Sequence, residues 1–121
     1  MPTPSILIVE DEYGLAELLR DLLMDVGYDV ALATNGRLAL QVLAERPVDV
    51  VLTDVMMPVM DGPELARAMR THEQHKRIPI VMMTSLPGTV PATPDLYEAM
   101  LRKPFTPEAL LHVLADVGQQ G

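Results

Sequence analysis

Apolar positions along the chain alternate between short continuous runs and longer runs with a helical period. The continuous runs are aliphatic and β-branched, which is typical of strands buried on both faces of a parallel sheet. Ser5–Val9 reads SILIV, and residues 48–53 read VDVVLT. Between them, apolar residues with the spacing i, i+3, i+4, i+7 predict an amphipathic helix that ends at Gly27. These residues are Leu15, Leu18, Leu19, Leu22, Leu23 and Val26.

The alternation continues to the end of the chain. Further strands are predicted at 29–33, 78–83 and, briefly, 100–101, and further helices at 36–45, 62–71 and 107–117, with Gly118 ending the last. Asp61 and Thr106 are predicted N-caps, and Glu64 completes a capping box with Asp61. Strand–helix alternation of this kind predicts an α/β fold, with a five-stranded parallel sheet and helices on both faces.

The connection between the fourth and fifth strands departs from this pattern. Residues 86–94 read LPGTVPATP, and three prolines and a glycine exclude a long helix there. A single short turn, starting at Thr93 and reaching about Ala99, is the most that this segment predicts. We therefore expect the fourth helix to be short, displaced or missing.

Composition narrows the class of protein. A length of 121 residues fits a single domain, with an ordered core over about 5–117. The net charge of −8 argues against direct nucleic-acid binding, and the absence of cysteine excludes disulfides and thiolate sites. No apolar run is long enough to span a membrane, and the N-terminus does not resemble a signal peptide. We expect a cytoplasmic domain.

The carboxyl ends of the predicted strands carry the reactive side chains: Glu10, Asp11, Asp54, Thr84 and Lys103. Because parallel strands end at the same edge of a sheet, these groups should converge there. Three neighbouring carboxylates need a cation to offset their repulsion, and Mg²⁺ prefers oxygen ligands of this kind. With a lysine and a hydroxyl nearby, the set suits an aspartate that accepts a phosphoryl group.

Each of these residues also has a simpler interpretation. Glu10 and Asp11 could cap the first helix, Asp54 and Thr84 could be ordinary strand-end residues, and Lys103 could be a solvated turn residue. Their joint occurrence at four strand ends favours a site. The three histidines, by contrast, are predicted to lie on the surface: His72, His75 and His112.

Four segments resemble the receiver domain of bacterial two-component response regulators. They read ILIVEDE at 6–12, TDVMMPVMDG at 53–62, PIVMMTS at 79–85 and LRKPF at 101–105. They occur in the family's order and spacing and span nearly the whole chain. The resemblance implies the flavodoxin-like strand order 2-1-3-4-5.

The resemblance also implies a role for each site residue. Asp54 would be the phosphoacceptor. Glu10 and Asp11 would hold Mg²⁺ directly or through water, with Asp54 and the backbone carbonyl of Met56 as further ligands. Lys103 would pair with Asp54 and then with the phosphoryl group. The Lys103–Pro104 peptide would be cis. Thr84 would move toward the phosphoryl oxygen and report phosphorylation to the face around the fourth helix and fifth strand.

The sequence departs from the family pattern on that face. Met100 stands where the family usually has an aromatic residue, three positions before the lysine, and the Pro-rich segment precedes it. Ser85, where the family often has alanine, is a smaller change. The phosphorylation site therefore looks intact, whereas the output switch does not look standard.

The leading hypothesis is a phosphoacceptor, not an enzyme acting on a substrate. A histidine kinase or histidine phosphotransfer domain would supply the phosphoryl group, and an unknown output partner would read it. Residues 118–121 are expected to be a frayed tail or a cut linker, so the chain is a stand-alone receiver or an excised domain. An interaction module working without phosphorylation is the alternative. An aspartyl phosphatase is disfavoured, because Met56 occupies the position of its usual second aspartate.

Overall fold

The structure, a computed structural model, describes residues 3–86 and 95–120, with the backbone alone for residues 119 and 120. Strands and helices alternate as far as α3, after which β4 and β5 precede the last helix. The strands are β1 (Ser5–Val9), β2 (Asp29–Ala33), β3 (Val50–Asp54), β4 (Ile80–Thr84) and β5 (Ala99–Arg102). The helices are α1 (Tyr13–Asp25), α2 (Gly36–Glu45), α3 (Gly62–Arg70) and α4 (Pro107–Gln120).

The five strands form one parallel sheet in the order β2-β1-β3-β4-β5. Side chains alternate between the two faces along each strand. Leu7 and Val9 pack in the cluster under α2 and α3, whereas Ile6 and Ile8 pack in the cluster under α1 and α4. Burial on both faces explains why β1, β3 and β4 are nearly continuous apolar runs. The observed strand pairing confirms the predicted fold and strand order.

The predicted boundaries need small corrections. The third and fourth strands each begin and end one or two residues later than predicted, so that Asp54 and Thr84 are their last residues. Gly118 does not end the last helix, which continues to Gln120. Glycine lowers helix propensity by only about 1 kcal/mol relative to alanine, and no proline follows it to stop the helix.

The β4–β5 connection is described only at its two ends, because residues 87–94 lie outside the described part of the chain. The predicted short turn from Thr93 to about Ala99 is therefore described from residue 95 onward, where it is not helical, and Ala99 already belongs to β5. At residues 85–86 and 95–98 no helix is present. Leu96, Tyr97 and Met100 pack against the cluster under α2 and α3. Two ion-paired residues, Arg70 of α3 and Glu98, hold this end of the connection at 2.7 Å.

One predicted surface residue is buried. His75 is 5% exposed, its Nε2 lies 3.2 Å from the carbonyl oxygen of Leu43 at the end of α2, and its ring stacks on His72. The prediction was wrong because a polar loop sequence does not show that the loop folds back onto a helix end. Across the described residues, no helix is long and apolar enough to cross a membrane.

Candidate functional site

Three carboxylates from two strand ends meet at the carboxyl edge of the sheet. Glu10 and Asp11 follow β1, and Asp54 is the last residue of β3. One oxygen from each lies within 4.8 Å of the others. Glu10 is buried, Asp54 is partly buried and Asp11 is exposed, so the cluster opens from the sheet edge to solvent. The convergence predicted from the strand ends is therefore present.

Capping of α1 is done by a neighbouring residue. The Glu12 carboxylate accepts hydrogen bonds from the backbone N–H groups of Gly14 and Leu15, at 3.1 and 2.7 Å. The simpler interpretation, in which Glu10 and Asp11 cap this helix, was wrong. Glu10 instead accepts the backbone N–H of Glu12 at 3.1 Å, and this bond fixes the turn between β1 and α1.

Asp54 is positioned by the tight loop that joins β3 to α3. A Cβ atom on Gly62 would lie 2.5 Å from the Asp54 carbonyl oxygen, so only glycine fits there. The predicted capping box is present, with Asp61 accepting the Glu64 N–H at 2.9 Å and Glu64 accepting the Asp61 N–H at 3.2 Å. Val59, at the outer turn of this loop, has φ = 70°.

Lys103 bridges two of the carboxylates. Its Nζ lies 2.7 Å from Glu10 Oε1 and 3.3 Å from Asp54 Oδ2. The Lys103–Pro104 peptide is cis, as the family resemblance implied, and the Lys103 N–H donates to the Thr84 carbonyl at 2.8 Å. The predicted Lys103–Asp54 pair is present, but Glu10 makes the shorter contact.

For each member of this ion pair, burial and the charge of its partner shift the pKa in opposite directions. Burial raises the pKa of Glu10, aided by the charge of Asp54, against the lowering effects of Lys103 and the Glu12 N–H. Burial alone would lower the pKa of Lys103, but Glu10 and Asp54 together raise it above its ordinary value. Lys103 therefore carries its positive charge beside Asp54 throughout the neutral pH range.

Thr84 ends β4 at the same edge. Its hydroxyl donates to the Leu86 carbonyl at 3.1 Å and accepts the Leu86 N–H at 3.0 Å, and the side chain is buried. In this conformation the hydroxyl is engaged by the start of the β4–β5 connection. Any movement of Thr84 toward Asp54 would exchange these bonds for new ones.

The sequence profile of the response regulator receiver domain matches residues 6–115. The chain belongs to this family. The receiver domain is 36% identical over 109 residues to the DNA-binding response regulator MtrA of Mycobacterium tuberculosis, covering 88% of this chain and 46% of that protein. It spans about half the length of the first curated relatives that it matches.

Solved structures show the same fold. A response regulator from Chloroflexus aurantiacus superimposes with a TM-score of 0.90 at 30% identity, covering 98% of this chain and 99% of that one. The receiver domain of the sensor histidine kinase PA1611 from Pseudomonas aeruginosa, solved with a magnesium ion in its active-site cleft, gives a TM-score of 0.87 at 28% identity. That match covers 98% of this chain and 99% of that chain. Receiver domains of two-component signal transduction thus occur both in response regulators and in histidine kinases.

The donor set of this receiver fits a hard divalent cation. When ionised, the three carboxylates carry three negative charges, of which Lys103 offsets one. Carboxylate oxygens are the ligands that Mg²⁺ and Ca²⁺ prefer, and a dication would offset the remaining charge. The Met56 carbonyl stays a predicted ligand.

Several residues that shape this receiver were not predicted from the sequence. Gly62 was recognised as part of a loop, but its close approach to Asp54 depends on tertiary structure. The Arg70–Glu98 ion pair joins positions 28 residues apart, for which a single sequence gives no signal. Glu12 could have been found, because it stands directly before the helix and its carboxylate can reach the first free N–H groups.

Proposed function

We propose that this receiver accepts a phosphoryl group from a phosphohistidine onto Asp54, with Mg²⁺ bound by the acidic cluster. The observation that carries the proposal is the convergence of Glu10, Asp11 and Asp54 oxygens within 4.8 Å, beside the Lys103 ammonium. Phosphoryl transfer needs positioning and charge neutralisation more than covalent chemistry from the protein, and these groups would supply both.

In the proposed reaction, an Asp54 carboxylate oxygen attacks phosphorus and forms a P–O bond as the P–N bond to histidine breaks. The bonding electron pair leaves with the imidazole nitrogen, and because the other ring nitrogen of the phosphohistidine carries a proton, the released imidazole is neutral. Lys103, at 3.3 Å from Asp54, is placed to offset charge on the transferred group. Bound Mg²⁺ would neutralise charge on the phosphoryl oxygens, and Glu10, Asp11, Asp54 and the Met56 carbonyl would hold it. The magnesium-bound P. aeruginosa domain supports this assignment.

The phosphodonor is proposed to be a histidine kinase or histidine phosphotransfer domain. Such a partner must contact the rim of the site to bring its phosphorus to Asp54. A mainly apolar groove of about 550 Å³ adjoins Lys103 between α1 and the start of α4. Leu18, 65% exposed, lines this groove with Leu15, Leu22 and Phe105. The groove could receive an apolar helix face of the donor.

The proposed output is a conformational change passed from Thr84 to a protein partner. We propose that Thr84 leaves Leu86 and bonds to the phosphoryl group, which would couple Asp54 to the β4–β5 connection. The receiver is proposed to act as a phosphoacceptor and not to turn over a separate substrate. Direct nucleic-acid binding by this acidic domain is not proposed, because its net charge is −8.

The test is an NMR titration with Mg²⁺ and then beryllofluoride, which mimics the phosphoryl group. We expect saturable shifts at Glu10, Asp11, Thr84 and Lys103 that are lost in Asp54→Ala. Asp116→Ala is the matched control, since it removes an exposed carboxylate from α4. Beryllofluoride shifts that persist in folded Asp54→Ala would overturn the assignment. A folded wild-type chain without any response would favour an interaction module that works without phosphorylation.

A further inference from the structure

The α3–β4 loop, residues 71–79, bonds to the C-terminal end of α2 through His75. The Leu43 carbonyl is one of the last four in α2, which lack donors inside the helix, and Pro47, four residues on, has no N–H to offer. His75 Nε2 lies 3.2 Å from this oxygen. Because a carbonyl only accepts hydrogen bonds, Nε2 carries the proton, and the buried imidazole supplies the donor that the helix end lacks.

Arg70 binds the same loop from the other side. Its Nη1 donates to the Lys76 and Ile78 carbonyls, at 3.0 and 2.8 Å. Its Nη2 donates to both carboxylate oxygens of Glu98, at 2.7 and 3.0 Å. Glu98 also accepts the Ile80 N–H at 2.7 Å, where β4 begins. One guanidinium, with its side chain only 17% exposed, therefore joins the α3–β4 loop to the residues that lead into β5.

Between these two attachments the loop is folded into a compact, internally bonded turn. The His72 carbonyl accepts the N–H groups of His75 and Lys76, at 3.0 and 2.9 Å, and the His75 carbonyl accepts the Ile78 N–H at 3.2 Å. The rings of His72 and His75 stack with their centroids 4.0 Å apart. The carbonyls that bind Arg70 and the imidazole that binds α2 thus belong to one hydrogen-bonded unit, which should move as a whole.

We propose that the α3–β4 loop couples the start of β5 to the C-terminal end of α2. A displacement of Glu98 would pass through Arg70 to the loop, and His75 would carry it to α2. A second responsive surface then lies where the strands begin, at the opposite edge of the sheet from Asp54. It includes a cavity of about 350 Å³ lined by the end of α2 and by His75. The inference rests on the proposed function for the stimulus, whereas the coupling itself belongs to the resting chain.

The first test measures the coupling without any ligand. Arg70→Met and His75→Phe are made singly and together, and urea denaturation gives the unfolding equilibrium constant of each protein. Because both side chains bind the same loop, the double-mutant cycle should show a coupling of at least about twofold. Phenylalanine keeps a flat ring in this buried position, so the cycle reports the loss of the Nε2 contact. A control cycle with Arg67→Met, which changes an exposed residue in the last turn of α3, should show no coupling.

The second test follows the response to Mg²⁺ and beryllofluoride by NMR. In the unmodified chain we expect amide shifts at residues 43–45 as well as at Lys103. Arg70→Met should abolish the shifts at 43–45 and leave those at Lys103, whereas Arg67→Met should leave both. Glu98→Gln removes the same ion pair from the other side and serves if Arg70→Met does not fold.

The contact at α2 is tested in the same experiment. His75→Phe should also abolish the shifts at residues 43–45. His75→Gln should restore them in part, because its side-chain amide is a donor that can replace Nε2–H. A role of His75 in packing alone would make the glutamine variant at least as damaging as the phenylalanine variant.

Three results would overturn the proposal. They are independent effects of Arg70→Met and His75→Phe in the cycle, shifts at residues 43–45 that survive Arg70→Met, and an unmodified chain that responds at Lys103 but not at 43–45. Absence of any beryllofluoride response would instead contradict the proposed function. The cycle in the resting chain would then still decide whether the loop couples β5 to α2, so the two failures remain distinguishable.

Discussion

At the ends of β1 and β3, three carboxylates are placed by strand ends, a capping box and a glycine that touches the backbone of Asp54. We call Glu10, Asp11 and Asp54 the acid half of the site. At the end of β4, the Thr84 hydroxyl is bonded to the irregular chain that follows it, and this connection leads through residues 95–98 to the start of β5. We call Thr84, Met100 and residues 95–98 the response half.

The comparison shows that the halves depend on different kinds of structure. The acid half depends on regular elements and close backbone packing, so changes there should act on stability and cation binding together. The response half depends on a few side-chain bonds to a connection without a helix at its described ends. Changes in that half should affect the conformational response more than they affect the binding of a cation.

The largest effect is expected from Gly62→Ala, which would break the acid half. The added Cβ would lie 2.5 Å from the Asp54 carbonyl oxygen and 3.1 Å from the Val55 Cα, so backbone has to shift. We expect the free energy of unfolding to fall by about 1–3 kcal/mol, as for overpacked cores. Urea denaturation measures the change, and Mg²⁺ titration should show weaker binding.

Gly118→Ala is the control for that experiment. Its added Cβ has nothing within 4 Å, and Gly118 lies inside α4, so alanine should stabilise the protein by roughly 0.5–1 kcal/mol. Equal stability of Gly62→Ala and the unmodified chain would show that the β3–α3 loop adapts, and that Asp54 is less rigidly held than its packing indicates.

A smaller effect is expected from Arg70→Met, which removes the anchor of the response half. Arg70 donates to both oxygens of Glu98 at 2.7 and 3.0 Å, and Glu98 also accepts the Ile80 N–H at 2.7 Å. We expect the free energy of unfolding to fall by about 1–2 kcal/mol, because the partly buried carboxylate loses its main partner but keeps the Ile80 N–H. The Mg²⁺ dissociation constant should not change.

Arg67→Met is the matched control, since Arg67 is exposed in the last turn of the same helix. A loss of Mg²⁺ affinity in Arg70→Met, but not in Arg67→Met, would mean that the two halves are coupled in the resting state. The acid half and the response half would then not be independent of each other.

Sequence reasoning predicted what is local in each half. The strand runs, the Asp61 capping box and the order of the strand-end residues all follow from patterns within a few positions, and the structure confirms them. The flavodoxin-like strand order came from the family resemblance. Burial of His75, the Arg70–Glu98 pair and the Glu10–Lys103 contact could not be predicted, because each joins elements far apart in the chain.

Thr84→Val tests the response half and should lower the free energy of unfolding only modestly. Removing the hydroxyl leaves the Leu86 N–H and carbonyl without this partner, which is expected to cost about 1 kcal/mol. Mg²⁺ affinity should stay the same, whereas beryllofluoride-dependent NMR shifts at residues 95–101 should disappear. Thr84→Ser keeps the hydroxyl and should retain those shifts. Persistence of the shifts in Thr84→Val would remove Thr84 from the proposed response.

The smallest effect is expected from Val59→Gly, in the loop that carries the acid half. Val59 has φ = 70° and is 72% exposed, so the β-branched side chain is strained without being packed. Relief of left-handed strain, worth roughly 1–2 kcal/mol, exceeds the added flexibility of glycine in the unfolded chain, worth roughly 0.5–1 kcal/mol. Urea denaturation should therefore show a gain of about 0.5–1 kcal/mol.

Val59→Ala is the control for this gain, because alanine keeps the Cβ that causes most of the strain and should leave stability nearly unchanged. If Val59→Gly instead lowers the free energy of unfolding, contacts of the valine side chain stabilise the loop. If the gain is found with Mg²⁺ affinity intact, the strain is not needed to place Asp54. The rigidity of the acid half would then come from Gly62 and the capping box, which hold both ends of the same loop.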